Sequence, residues 1–447
     1  MAAFDDMLPQ PAALAARKAA QLWLLLALGA MALSALLAVM LVLSRTPVIQ
    51  ELFGLRSAFH HVLVLHVNFA VLVWLLSFGG AMWSLALRDS APFRDGIGLG
   101  LSVIGALLMA FSPFAGNAAP VMSNYIPVLE TPLFFTGLTG FLAGLAVAAL
   151  RLLSQPGGAG ASVFVHALRA SAIAYLVALG AFALHALALY RAAPLPYEAL
   201  FWGGGHLLQF VYILLLLGAW AILAGPSLAR TNPASWRRLF WLALLPVAAG
   251  GGAALGFHPL EENSRRAFTL LMQWGAPLAL LPMAWLIAAR HRAGALAGDN
   301  PLRLSMGLML LGMLVGIAIS ADTVTVTAHY HATNAAITLA FMGLGYRLLP
   351  LFGFEPPAVR LPRWQLRLYA AGMAIYVAGM ACSGWLGVPR KSAGAVDGTG
   401  QNLAMAAMGA GGLVAVGATL LFLVIMLRAM RRRHAASPIK SGVPHTS

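Results

Sequence analysis

Long apolar runs separated by short polar breaks fill almost the whole chain. Runs of spanning length fall near residues 20–43, 58–86, 97–114, 131–153, 164–189, 199–224, 236–258, 267–289, 303–321, 324–350, 366–388 and 403–428. A helix needs about 20 apolar residues to cross a bilayer core of about 30 Å. The pattern therefore predicts an all-α integral membrane protein, a single bundle of about twelve transmembrane helices. Polar tails at 1–19 and 430–447 flank the bundle. The Gly/Ser/Pro cluster at 154–162 reads as a loop rather than a linker, so 1–447 is one domain.

Charge adds the orientation. The chain is 61% hydrophobic and 9% charged, with net charge +15. In a soluble protein that excess would suggest nucleic acid; here nucleic acid is not an expected partner, because the basic residues sort by membrane face. With the N-terminus inside, 21 Lys and Arg fall on inner loops or helix ends and 7 on outer ones, which predicts cytoplasmic N- and C-termini. Met1 to Gln10 is polar and acidic and lacks a signal-peptide pattern. The expected setting is a bacterial inner (plasma) membrane, crossed many times. One cysteine, Cys382, excludes a disulfide framework, an all-cysteine metal site and covalent c-type haem attachment.

Against this apolar background the histidines stand out. His329 and His331 lie near the outer end of the tenth predicted helix. At about 100° per residue, positions i and i+2 point roughly 200° apart, so one helix can serve a metal centre on each side. His66 and His206 lie about two turns in from the outer ends of the second and sixth helices, and His258 closes the seventh. Five histidines on four helices thus share one depth. A single interfacial imidazole needs only water. A layer of them inside a bilayer is what haem or metal ligation requires. His60 and His61 read as interfacial, His185 as a packing residue, and His166, His291, His434 and His445 as solvated.

These residues resemble the haem–copper oxidoreductase superfamily: subunit I of cytochrome c oxidase and the large subunit of nitric oxide reductase. Thr327-Ala328-His329-Tyr330-His331 is similar to its tenth-helix element. The resemblance implies that His329 binds a high-spin haem and His331 a low-spin haem. His66, within His66-Val67-Asn68-Phe69, is then the other axial ligand of the low-spin haem, in the form closest to nitric oxide reductases. Phe201-Trp202-Gly203-Gly204-Gly205-His206 resembles the element whose histidine binds a second metal, copper or non-haem iron. Arg390 and Lys391 resemble a basic pair that holds haem propionates, and 111–132 echoes the connection between helices 3 and 4.

Two departures stand beside the matches. Where the family places two adjacent histidines this chain has Phe257-His258, leaving His206 and His258 as an incomplete set unless Glu261 or Glu262 joins it. The tyrosine of common oxidases, four residues past the helix-6 histidine, is Phe210 here; Gln209 and a misdirected Tyr212 are its neighbours. The implied function is a catalytic subunit of aerobic respiration, with two non-covalent haems and a possibly incomplete third site, reducing dioxygen. Nitric oxide reduction is the first alternative. A haem electron conduit or sensor without the second metal is another, and so is a haem-free transporter with helices broken at Gly203-Gly204-Gly205 or Gly250-Gly251-Gly252. Electrons would come from a c-type cytochrome, a copper-protein subunit or quinol, and lipid surrounds the bundle.

Overall fold

The computed structural model describes residues 14–43, 55–89, 91–116, 118–156, 162–225, 233–293, 301–319, 323–388 and 398–432. Twelve helical rods run through them. They are α1 (Leu14–Leu43), α2 (Leu55–Val67, a π turn at Asn68–Val73, then Trp74–Leu85), α3 (Pro92–Phe111), α4 (Pro132–Leu153), α5 (Val163–Leu189) and α6 (Tyr197–Ala224). Then come α7 (Pro233–Gly256), α8 (Glu262–Leu270, a π turn at Leu271–Gly275, then Ala276–Ala293), α9 (Pro301–Ile317), α10 (Val324–Leu348), α11 (Arg360–Trp385) and α12 (Thr399–Met430). Eleven are long and apolar enough to cross a membrane, and α9 is the shorter twelfth. The helix count read from the apolar runs is borne out.

Local chemistry sets the ends. Pro92 and Pro132 occupy first turns, where a missing N–H costs nothing. Thr131, Ser162 and Thr323 accept from Phe134 N, Val165 N and Thr325 N, capping α4, α5 and α10. Neighbours in sequence pack as antiparallel pairs, α1 with α2, α3 with α4, α5 with α6, α9 with α10 and α11 with α12; α12 also returns to α1. Two pairs meet backbone to backbone. A Cβ on Gly137 would stand 2.7 Å from Gly105 O, and one on Gly379 would stand 2.6 Å from Ala404 O. Small residues at such crossings are how helices associate where lipid offers no hydrophobic drive.

The most enclosed rods are α2, α6 and α10, spaced four apart in the chain. Their inner halves are solid: every residue of 72–85 on α2 and 335–346 on α10 is buried. Trp74 Nε1 donates to Thr338 Oγ1 at 3.2 Å, and the Phe78 and Phe341 rings stack at 4.4 Å. The ends opposite the termini, called distal below, are more open. There the α3–α4 connection forms a small antiparallel hairpin, β1 (Pro120–Val121) with β2 (Val128–Leu129), pairing Pro120 with Leu129. It is pinned by His61 Nε2 on Ala118 O (2.6 Å), by Asn68 Nδ2 on Pro127 O (2.7 Å), and by Asn124 N on Glu198 Oε2 (2.9 Å).

Candidate redox site

Both α10 histidines come out on opposite faces, as their spacing requires. His329 turns to α9, where its Nδ1 lies 2.7 Å from Gly312 O. His331 turns to α11, its ring 5.2 Å from that of Tyr376, with Nδ1 2.8 Å from Thr327 O in the preceding turn of α10. On α2, His66 Nδ1 lies 3.0 Å from Ser34 O and 3.2 Å from Ser34 Oγ on α1. His206 on α6 has Nδ1 2.6 Å from Trp202 O.

One rule runs through the four. A carbonyl oxygen only accepts, so in each neutral ring the proton sits on Nδ1 and Nε2 carries the lone pair. Metal-ligating histidines are oriented in this way, the second nitrogen fixing the tautomer and raising the basicity of the first. Four imidazoles thus share the tautomer in which Nε2 is the acceptor nitrogen. The partners on other chain segments, Ser34 and Gly312, escape sequence reading because a backbone acceptor has no residue signature.

The setting fits haem. His66, His329 and His331 are each half-buried, on helices closed completely one or two turns further in. Just past His66 the π turn begins, and Asn68 Nδ2 donates both to Val64 O and to Pro127 O, tying the ligand's helix to the distal hairpin.

A second metal finds a poorer set. His206 is buried, and its ring meets three aromatic rings: Tyr125 and Trp202 at 4.6 Å and Phe268 at 5.7 Å. Tyr125 comes from the distal hairpin and fills the space left by Gly205. His258 falls beyond α7, which closes at Gly256; it is exposed, and Leu260 N donates to its Nδ1 at 3.4 Å. Glu261 and Glu262 are exposed at the start of α8, where negative charge suits the helix N-terminus. Among the described residues no group of three or more His, Cys, Asp or Glu could hold a metal ion. Arg390 and Lys391 lie outside the described residues.

The family model for cytochrome c and quinol oxidase polypeptide I matches residues 18–414. The chain belongs to this family. Within it the oxidase polypeptide I fold is shared by a solved heme-copper terminal oxidase dimer, with TM-score 0.69 at 15% identity over 93% of this chain and 84% of that one. An uncharacterised protein of Rickettsia prowazekii (strain Madrid E) is 25% identical over 92% of this chain and 96% of its own length. Another uncharacterised protein, of Aquifex aeolicus (strain VF5), is 27% identical over 74% and 85%. Polypeptide I membership makes this an integral-membrane oxidoreductase subunit and displaces the transporter reading. The helix breaks that reading needed are absent too: α6 and α7 run unbroken through both glycine triplets.

Proposed function

We propose that this chain carries two non-covalent haems, one between His66 and His331 and one on His329, and passes electrons through them to reduce a diatomic oxidant. The carrying observation is the shared orientation of the three imidazoles, each with Nδ1 against a backbone carbonyl, which selects the tautomer whose Nε2 is the lone-pair nitrogen. Haem iron supplies one-electron chemistry and, with a single protein ligand, an open coordination position. His329 and His331 set the relay's geometry, since one rigid helix fixes both sites. Arg390 and Lys391 are assigned to the propionates. Dioxygen is the substrate that most of the family suggests, and nitric oxide is favoured by Phe210 and the helix-2 motif.

Electrons enter from a c-type cytochrome, a copper-bearing subunit or quinol, because this sequence holds neither a cysteine pair for copper nor a c-type attachment site. The location is a bacterial plasma membrane with both termini cytoplasmic; the charge count supports it, and both relatives are bacterial. A dithionite-reduced minus oxidised spectrum of purified protein, with and without carbon monoxide, tests the reading. Two haems per chain are expected, one binding carbon monoxide; none at all would sink it. Turnover with dioxygen against nitric oxide then selects the substrate. A second reading, a haem relay or sensor, is supported by the aromatic surroundings of His206.

A further inference from the structure

We infer that the second-metal site of this family is replaced here by an aromatic box, within which His206 works without a metal. The inference rests on the two-haem reading and narrows it. A transition metal in protein takes three or four N, O or S donors at about 2.0–2.3 Å. His206 offers one, Nε2, and three aromatic rings pack on its ring: Tyr125, Trp202 and Phe268.

Each wall of the box is held in place. Tyr125 leans into the gap of Gly205, on a hairpin that Asn124 clamps to Glu198 through two hydrogen bonds. Trp202 is one turn before His206, with Arg265 lying 4.8 Å over its ring and the Arg265 carbonyl accepting from its Nε1. Phe268 is fully buried and reaches the gap of Gly203. His185 on α5 also lies against Phe268 and Gly203. It is buried, and its Nε2 has no hydrogen-bond partner. Both imidazoles pack on the same phenyl group, His206 at 5.7 Å and His185 at 6.2 Å from the Phe268 ring, and among the described residues they join no group of three or more His, Cys, Asp or Glu that could hold a metal ion. His258 and the two glutamates face solvent.

Without a metal, His206 keeps one capability. Its Nδ1–H is committed to Trp202 O, so Nε2 acts only as an acceptor and holds a ligand that brings its own proton, water being the simplest. The box also leaves the His329 haem without a metal neighbour, which favours the relay or sensor over four-electron reduction of dioxygen.

The test uses full-length protein purified from membranes of cells grown with added copper, as wild type and as His206→Gln. Haem is counted optically, and copper, zinc and total iron by plasma mass spectrometry. The expected result is iron equal to haem and no difference in any metal between the two proteins. A full equivalent of copper, zinc or extra iron in the wild type, lost in His206→Gln while both haems remain, would overturn the inference. Loss of folding is monitored by the haem count itself, and His206→Phe, which suits an aromatic box, serves as the second variant. A wild type lacking haem would refute the two-haem reading instead, and the metal comparison would still decide this one.

Discussion

Gly316 on α9 offers the sharpest handle on the His329 site. A Cβ built there stands 2.6 Å from His329 Nδ1 and 2.8 Å from Cε1, so Gly316→Ala cannot be accommodated without moving the imidazole. Relief to ordinary contact requires a retreat of roughly 0.8 Å. That would stretch the 2.7 Å link from Nδ1 to Gly312 O to roughly the 3.5 Å limit of a hydrogen bond. Losing it costs about 0.5–1.5 kcal/mol, and the overpacking about 1–3 kcal/mol more. Removing an orienting partner of this kind lowers metal affinity by about 10–100-fold. The assay is the carbon monoxide difference spectrum per chain, recorded as haem is withdrawn by a competing apoprotein. Gly307→Ala on the same helix is the control, since its Cβ would meet nothing within 4 Å. A Gly316→Ala protein that holds carbon monoxide-binding haem as tightly as the control would refute the reasoning.

Other outcomes follow from the same geometry. His66→Ala and His331→Ala should each remove the low-spin signal while sparing the carbon monoxide-binding haem, seen in reduced minus oxidised spectra. At the end of the bundle nearer the termini, Arg151, 6% exposed, pairs with Asp89 and Asp95. Arg151→Leu leaves Asp95 enclosed and unpaired and should cost about 3–5 kcal/mol. Adding Asp95→Asn should return part of it, measured as thermal unfolding in detergent. The hydrogen bond from Arg151 holds the Asp89 carboxyl below the usual carboxylate range. Its folded value being depressed, the contribution is present above the unfolded value and fades as pH falls through the folded one. Asp89→Asn should therefore flatten the acid limb of a melting-versus-pH curve, and only slightly, because Asp89 is largely exposed.

Helix number could be read from the sequence because it follows from period and length. The opposite faces of His329 and His331 needed only the angle per residue. What the sequence hid was decided by contacts between distant segments. Gly203-Gly204-Gly205 looks like a break, but each glycine is a socket: for His185 and Phe268, for Phe182, and for Tyr125. Side chains from three other segments fill those gaps, so the helix stays whole. His258 looked like a helix-end ligand until α7 stopped two residues short of it. The aromatic box was equally invisible, since Tyr125 and Phe268 lie 81 and 62 residues from His206.

The closed inner halves of α2 and α10 bear on how such a centre could store energy. If haems sit at the level of His66, His329 and His331, as proposed, the closed inner halves would separate them from the opposite face, and part of the transmembrane voltage would fall across that packed side. A charge carried through the full field is worth about 2.3 kcal/mol per 100 mV. An electron delivered from the distal face would then cross only a fraction of that drop. Any voltage generated per turnover would then depend on the proton that neutralises it, and on whether that proton climbs from the opposite face.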